Sequence, residues 1–153
     1  MDIRFCPSCG TENKGGDEDL DDKELIRLAH QARERAYAPY SNFLVGAALE
    51  TQDGKVYLGC NIENASYGAS NCAERTAFFK AVSEGERHFA KIAIVGGARG
   101  EEACPTCAPC GICRQVMSEF CDGKTFIILL EGEGGEIKRF TLDELLPFAF
   151  EKV

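Results

Sequence analysis

Apolar residues recur along the chain with two different periods, and each period predicts a different kind of element. From residue 22, apolar side chains fall on one face of a helical repeat, at Leu25, Ile26, Leu28, Ala29, Ala32 and Ala36. This first helix should end before Pro39, because the residue preceding a proline disfavours helical geometry. Further helices are predicted at about 72–82 and 111–120.

Strand-like runs lie between these predicted helices. The runs 43–51 and 55–61 flank Asp53-Gly54, a pair that is typical of the tight turn of a β-hairpin. Later strands are predicted at 92–95, 126–130 and 137–140. Because helices alternate with strands, we expect an α/β fold built in layers.

Length and charge limit the functions that this chain can have. Its 153 residues fit one domain with a substantial core, and no apolar run approaches the roughly 20 residues that a membrane helix needs. The net charge of -8 argues against a nucleic-acid partner, because such affinity comes from clustered Lys and Arg. The first ten residues lack the features of a secretory signal. We therefore expect a cytoplasmic protein with reduced thiols and no membrane partner.

The sequence divides into two parts. Residues 1–21 are interpreted as a zinc-knuckle-like extension, in which the turn Cys6-Pro7-Ser8-Cys9 is followed by an acidic tether. Residues 11–24 hold seven acidic groups against two lysines, which is typical of a solvated segment. Residues 22–153 form the main domain.

Cysteine spacing supplies the first candidate chemistry. The chain has nine cysteines, and in a reducing compartment Cys-x-x-Cys pairs indicate metal or redox sites before disulfides. Catalytic zinc takes three protein ligands and keeps a fourth position for water, a count that Cys72, Cys110 and Cys113 match. Glu74 lies two residues past Cys72, near a predicted helix start. Its carboxylate is therefore free to take a proton from the water.

Five segments, in order, resemble the small homotetrameric zinc-dependent cytidine deaminases over about residues 22–150. The matching stretches are Tyr40-Ser41-Asn42-Phe43, Val45-Gly46-Ala47-Ala48-Leu49, the run 59–68, Cys72-Ala73-Glu74-Arg75-Thr76, and Pro109-Cys110-Gly111 with Cys113-Arg114-Gln115-Val116. The resemblance implies a three-layer α/β/α sandwich with a mixed five-stranded sheet. It also implies hydrolysis of cytidine and 2′-deoxycytidine to uridine, deoxyuridine and ammonia, a role in pyrimidine salvage, and a homotetramer. One departure is Leu44, where the family pattern has proline.

The resemblance also implies roles for single residues. Glu74 would pass the proton of zinc-activated water to ring N3 and then to the departing ammonia, while Arg75 would donate hydrogen bonds to the ligand thiolates. Helix N-termini near Cys72 and Cys110 are expected to stabilise those thiolates. Phe43 would stack on the pyrimidine, Asn61 and Glu63 would bind the ribose 3′-hydroxyl, and Tyr67 and Phe150 would reach a neighbouring subunit's site. The implied substrate-binding set is Phe43, Asn61, Glu63, Ala73, Tyr67 and Phe150.

Two further cysteine pairs lie outside this pattern. Cys6 with Cys9, and Cys104 with Cys107, both have the Cys-Pro-x-Cys form. Together they supply the four thiolates of a closed tetrahedral site. We therefore predict a second, structural zinc ion, while a metal-free tail, or ligation by Cys107 together with Cys110, remains an alternative.

Other functions compete with nucleoside deamination. A zinc-ribbon interaction module would use the Cys-x-x-Cys pairs alone, and a thiol oxidoreductase would use one of them. Neither alternative gives Glu74 a role. Deamination of a nucleotide, a modified nucleoside or a polynucleotide is a closer alternative, although no basic cluster is present to bind a phosphate.

Overall fold

The computed structural model describes the backbone of residues 3–6 and 11–14 and all of residues 21–150. The elements in chain order are β1 (Ile3–Cys6), β2 (Thr11–Lys14), α1 (Asp22–Arg33), β3 (Phe43–Thr51), β4 (Val56–Cys60), α2 (Ala73–Ser83), β5 (Phe89–Ala98), α3 (Gly111–Phe120), β6 (Ile127–Glu131), β7 (Ile137–Thr141) and α4 (Leu142–Leu145).

A mixed five-stranded sheet forms the centre of the main domain. Its strand order is β4-β3-β5-β6-β7, and β5 pairs with β6 in parallel while the other neighbours are antiparallel. The predicted hairpin between β3 and β4 is confirmed, and Gly54 takes a φ of 82° in its turn. Left-handed backbone of this kind favours glycine.

Helices cover both faces of this sheet, so the expected three-layer architecture is confirmed. On one face, Leu25 and Ala29 of α1 pack against Ala48 and Val95. On the other face, α2 and α3 pack over a cluster that includes the fully buried Leu49, Ile94, Phe78 and Met117. Each large apolar side chain buried in this way contributes about 1.5–3 kcal/mol to folding. Across the described ranges no helix is long and apolar enough to cross a membrane.

Helix α1 ends earlier than the hydrophobic pattern predicts. The pattern carries the helix through Ala36, but α1 stops at Arg33. The reason is a tertiary contact: Tyr37 forms a β-bridge with Ile62. In this bridge the N–H of Tyr37 donates to the carbonyl of Asn61 at 3.0 Å. Sheet-like pairing therefore overrides the helical repeat at these residues.

The described residues before α1 include two short paired strands. Strand β2 pairs antiparallel with β1, with Cys6 opposite Thr11, while the division of the chain into an extension over 1–21 and a main domain over 22–153 stays a prediction. Backbone hydrogen bonds form this ladder, and they do not depend on side-chain charge. At the other end, Asp21 caps α1 by accepting from the N–H of Lys23 at 3.4 Å. The acidic first turn of α1 suits the positive end of the helix dipole.

Two glycines allow helices to approach the sheet closely. A β-carbon at Gly46 would lie 2.1 Å from the carbonyl oxygen of Ala29, in α1. A β-carbon at Gly59 would lie 2.2 Å from the carbonyl oxygen of Ala73, in the first turn of α2. The second contact fixes the height of α2 above β4, and with it the position of the candidate site.

Candidate metal centre and active site

The start of α2 and the start of α3 meet above the sheet and bring three thiols together. Cys72 is the N-cap of α2, Cys110 is the N-cap of α3, and Cys113 lies in the first turn of α3. The Sγ atom of Cys110 lies 3.7 Å from that of Cys72 and 3.5 Å from that of Cys113. All three Sγ atoms fall within 4.8 Å of one another, and the described part of the chain holds no other such group of potential metal ligands.

This donor set fits a zinc ion. Zinc–sulfur bonds of about 2.3 Å in a tetrahedron place the sulfurs roughly 3.8 Å apart. The two sulfur separations of 3.5 and 3.7 Å are close to this value. Among the described residues, the group of potential ligands within this distance holds three thiols and no fourth member, which matches a catalytic site and not a closed structural one.

The surroundings favour thiolate at Cys72. The hydrogen bond from the Cys113 thiol, supported by bonds from Arg75 and Cys110, lowers the pKa of Cys72 to about 5 against the opposing effect of burial. The Arg75 guanidinium donates to the Cys72 sulfur at 3.4 Å. A helix N-terminus at each N-cap cysteine adds further positive potential. The site is therefore prepared to hold a cation through charged sulfur.

Glu74 is a buried carboxyl group beside the thiols. It lies in the first turn of α2 and is only 4% exposed. The pKa of Glu74 is raised to about 7, mainly by burial and in smaller part by the charge of Cys72. A group with a pKa near neutrality can both take and return a proton, which is what a general acid and base must do. The structure therefore places a carboxyl group with a pKa suited to proton transfer at the thiol cluster.

Phe43 stands at the start of β3, and Asn61 holds the backbone of that strand on both sides. The Asn61 amide donates from Nδ2 to the carbonyl of Phe43 at 2.8 Å and accepts at Oδ1 from the N–H of Val45 at 2.8 Å. The ring of Phe43 is 36% exposed, so a face remains open for a ligand. Leu44 continues the strand, paired with Gly97, without interrupting it.

Glu63 lies across from this strand and organises a turn. Its carboxylate accepts from the N–H groups of Tyr40 and Ser41, and from the Ser41 hydroxyl. The hydroxyl bond is the main cause of a lowered pKa for Glu63. The ring of Tyr67 meets that of Tyr40 edge-on at 5.9 Å. These residues line an open cavity of about 420 Å³ together with Ser70.

Two members of the implied substrate set lie apart from this cavity. Ala73 is fully buried at the start of α2, so its side chain faces no ligand. Phe150 is 85% exposed. The side-chain amide of Gln115 donates to the carbonyl of Phe150 and accepts from its N–H, both at 3.4 Å. Within this subunit, the structure therefore brings together Phe43 with Asn61, Glu63 with Tyr67, and Glu74 with the thiols.

Sequence reasoning missed Arg33. Its side chain is buried at the end of α1 and donates to the carbonyls of Leu44 at 3.3 Å, Ala98 at 2.9 Å and Glu101 at 3.0 Å. It thus ties the start of the Phe43 strand to the segment that follows β5. The available signal was an arginine on the apolar face of the first helix.

The predicted second zinc site is only partly within the described residues. Cys104 and Cys107 are half-buried neighbours in the segment 99–109, between β5 and α3. The pKa of Cys107 is raised to about 12, mainly by burial and in smaller part by the adjacent Cys104. Cys9 and the side chain of Cys6 lie outside the described residues. The four-thiol site therefore stays a prediction.

Comparison with known proteins gives a consistent family. The model of the cytidine and deoxycytidylate deaminase zinc-binding region matches residues 20–129. A cytidine deaminase of Sporosarcina psychrophila is 50% identical over 133 residues, which cover 87% of this chain and 93% of that protein. One from Halalkalibacterium halodurans is 53% identical over 131 residues, covering 86% of this chain and 95% of its own.

Solved structures agree. The crystal structure of the cytidine deaminase from Burkholderia pseudomallei is 52% identical, with a TM-score of 0.77 over 86% of this chain and 100% of that one. The enzyme from Mycobacterium tuberculosis is 37% identical, with a TM-score of 0.72 over 88% of this chain and 100% of that one. The family match includes the three clustered thiols and Glu74. The chain therefore belongs to the cytidine and deoxycytidylate deaminase zinc-binding family.

Proposed function

We propose that this protein hydrolyses cytidine and 2′-deoxycytidine to uridine and deoxyuridine, with release of ammonia. The observation that carries the proposal is the buried Glu74 carboxyl group beside three thiols whose spacing fits one zinc ion. The relatives named cytidine deaminase, at 50–53% identity over most of their length, support the same reaction. A reaction of this type recycles pyrimidine nucleosides, as in pyrimidine salvage.

The chain's own residues divide the work. Cys72, Cys110 and Cys113 would hold the zinc ion, which would supply an acidified water molecule for attack at C4 of the pyrimidine. Glu74 takes a proton from that water and delivers it to ring N3, and then helps to protonate the amino group that leaves as ammonia. Water and cytidine are consumed, and uridine and ammonia are formed, so the atoms balance.

Binding and orientation fall to the residues near β3. Phe43 offers an aromatic face for the planar base. Asn61 and Glu63 have amide and carboxylate groups that suit a hydroxyl, which both donates and accepts. The cavity beside Glu63 is lined by Tyr40, Ser41, Tyr67 and Ser70, and none of these is basic. Such a lining favours a free nucleoside over a nucleotide, because a 5′-phosphate would meet a carboxylate without a compensating cation.

Replacement of Glu74 tests this proposal. Glu74→Gln should keep its zinc and lose at least about 100-fold in kcat for cytidine, because the proton carrier is gone. Loss of cytidine absorbance, ammonia release and metal content are measured on the same preparation. Glu34→Gln, an exposed residue at the end of α1, is the matched control and should retain full activity. Near-normal turnover by Glu74→Gln would contradict the assigned role.

We also propose a homotetramer in which Tyr67 and Phe150 complete the site of a neighbouring subunit. Their rings are 76% and 85% exposed, which is unusual for large aromatic groups unless a partner covers them. The proposal follows the family resemblance, and the exposure supports it. A reducing compartment such as the cytoplasm is proposed because the zinc ligands must remain free thiols, as the described cysteines are.

A second, structural zinc ion bound by Cys6, Cys9, Cys104 and Cys107 is proposed as well. Its support is the repeated Cys-Pro-x-Cys form, and the closeness of Cys104 to Cys107. Strand β1 ends at Cys6, so the first pair begins where the β1–β2 ladder closes. The family match starts at residue 20, so this pair lies outside it.

Metal analysis tests the second site. The wild-type chain should hold two zinc ions, and the double variant Cys6→Ser, Cys9→Ser should hold one, keep its activity and melt at a lower temperature. Ser8→Ala, in the same turn, is the matched control and should keep both ions. One zinc ion per chain in both wild type and double variant would exclude the proposed site.

A further inference from the structure

The segment 99–109, between β5 and α3, is held firmly against the sheet. The N–H of Cys104 donates to the carbonyl of Gly96 at 2.7 Å. The N–H of Thr106 donates to the carbonyl of Glu131, also at 2.7 Å. Arg33 holds the carbonyl of Glu101 from below at 3.0 Å. Thr106 takes a φ of 59°, a left-handed conformation that non-glycine residues adopt rarely. These contacts fix where the next residue, Cys107, points.

Gly96 provides the space that the Cys107 sulfur occupies. A β-carbon at position 96 would lie 2.5 Å from Cys107 Sγ, 3.0 Å from Phe43 Cε1 and 3.2 Å from Val45 Cγ2. These three side chains therefore occupy the space that a side chain at position 96 would need. The sulfur lies beside the edge of the Phe43 ring because position 96 has no side chain.

This convergence is on the sheet face that carries the thiol cluster. Gly96 pairs with Val45 in the β3–β5 ladder, and side chains alternate between faces along a strand. Ile94, two residues before Gly96, packs in the core beneath α2 and α3, and Val45 packs against the same core. The charge of Glu74 reaches the Cys107 thiol and contributes to its raised pKa, after burial and Cys104. Cys107 thus lies near both Phe43 and Glu74.

We propose that Cys107 is a specificity-determining residue whose sulfur forms the apolar wall of the base pocket against the C5–C6 edge of the pyrimidine ring. The inference rests on the proposed nucleoside reaction. In that reaction the ring face meets Phe43, C4 and N3 meet the water and Glu74, and N1 carries the sugar. The edges left are the O2 side, which needs hydrogen-bond donors, and the apolar C5–C6 side. A small, polarisable sulfur packed with Val45 and Phe43 suits the apolar edge, and a sulfur that also binds the proposed second zinc ion keeps its remaining surface for this contact.

The size of residue 107 should therefore set the tolerance for a substituent at C5. The test compares kcat/KM for cytidine and 5-methylcytidine in wild type, Cys107→Ala and Cys107→Leu. Pocket space for one methyl group changes selectivity about 10-fold or more. Cys107→Ala should shift the ratio about 10-fold toward 5-methylcytidine, and Cys107→Leu should shift it about 10-fold toward cytidine.

Cys104→Ala is the matched control. It removes a thiol from the same loop and from the proposed second zinc site, and position 104 contributes no side-chain atom to the space above Gly96 among its nearest neighbours. It should leave the selectivity ratio unchanged. An unchanged selectivity ratio in both Cys107 variants would overturn the proposal. An equal shift in Cys104→Ala and Cys107→Ala would also overturn it, because a disturbed loop or the loss of the second zinc ion would by itself give that result.

A second measurement separates this inference from the proposed reaction. Calorimetry measures the affinities of the Glu74→Gln protein for uridine and 5-methyluridine. The ratio of these affinities tests the same contact at C5 without requiring catalysis. In this background, Cys107→Ala should raise the affinity for 5-methyluridine relative to uridine about 10-fold. This measurement tests the proposal even if Cys107→Leu does not fold. Absence of cytidine turnover by the wild-type protein would contradict the proposed function alone, whereas an unchanged affinity ratio would contradict the wall.

Discussion

At the residue scale, two neighbours in sequence serve the thiol cluster from different directions. Successive residues of a helix point about 100° apart, so Glu74 and Arg75 cannot face the same surroundings. Glu74 turns inward and is 4% exposed, while Arg75 is half-buried and bonds the Cys72 sulfur at 3.4 Å. The first carries the proton in the proposed reaction, and the second stabilises a ligand.

Arg75 should therefore affect metal affinity. Arg75→Gln removes the charge that stabilises the Cys72 thiolate, and residues in this position typically change metal affinity by about 10- to 100-fold. Competition with a chromophoric chelator should show weaker zinc binding by that amount, with Arg75→Lys between the two. Arg87→Gln, an exposed arginine beyond the end of α2, should bind zinc as the wild type does. Equal zinc affinity in Arg75→Gln and wild type would count against the role.

Glu63 should affect sugar recognition and not metal binding. Glu63→Gln keeps an oxygen for the Tyr40–Ser41 turn but loses the charge that would bind the ribose hydroxyl. We expect KM for cytidine to rise about 10-fold, because hydrogen bonds to charged groups are the stronger ones, with zinc content unchanged. Ser41→Ala removes one donor to Glu63 and an acceptor for the N–H of Phe43 but leaves the Glu63 charge in place, so it should have a smaller effect. Deamination of free cytosine as fast as cytidine would refute sugar recognition.

At the element scale, the site depends on how closely α2 approaches β4. The N-terminus of α2 carries Cys72 and Glu74, and it rests on Gly59 without an intervening side chain. The Cys72 thiol and the Glu74 carboxyl group thus share one rigid support. A shift of this helix would move both of them relative to Cys110 and Cys113, which belong to α3.

Adding one methyl group at Gly59 should disturb that support. The new β-carbon would lie 2.2 Å from the Ala73 carbonyl oxygen and 2.5 Å from the Ala77 nitrogen, so backbone must move. Gly59→Ala should lower stability by about 1–3 kcal/mol and reduce zinc content and kcat together. Thermal melting, metal analysis and turnover measure this. Gly68→Ala, which has nothing within 4 Å, is the control, and similar behaviour of the two variants would contradict the argument.

At the scale of the whole molecule, aromatic groups remain on the surface of the single subunit. Tyr37, Tyr67 and Phe150 are 58%, 76% and 85% exposed, and Phe148 is fully exposed with a φ of 57°. A bulky residue in left-handed backbone is strained, so such a ring at the surface calls for a contact that offsets the cost. A neighbouring subunit of the proposed tetramer would supply that contact.

Light scattering should therefore give the mass of four chains, and assembly should matter for activity. Phe150→Ser should lower kcat/KM for cytidine at least about 10-fold while zinc content stays the same, because the ring would act in a neighbour's pocket. The matched control is Phe79→Ser, which makes the same substitution at an exposed ring on α2. A fully active monomer would refute the tetramer and the role of Phe150 together.

The sequence alone determined the features that depend on neighbours along the chain. Helix α3 was predicted with its observed bounds, and β3 likewise, because one-sided burial leaves a period in the sequence. The spacing of Cys110 and Cys113 similarly follows from one helix turn. The fold class could be expected because the family motifs occur in order.

Only the tertiary structure decided which distant residues meet. Cys72 and Cys110 are 38 residues apart, yet their sulfurs lie 3.7 Å from each other because the sheet order brings two helix starts together. The same reason accounts for the early end of α1, where Tyr37 pairs with Ile62, and for the Cys107 sulfur above Gly96. Periodicity reports which face of an element is buried. It does not report which element lies opposite, because that depends on long-range strand pairing and on the space that residues such as glycine leave free.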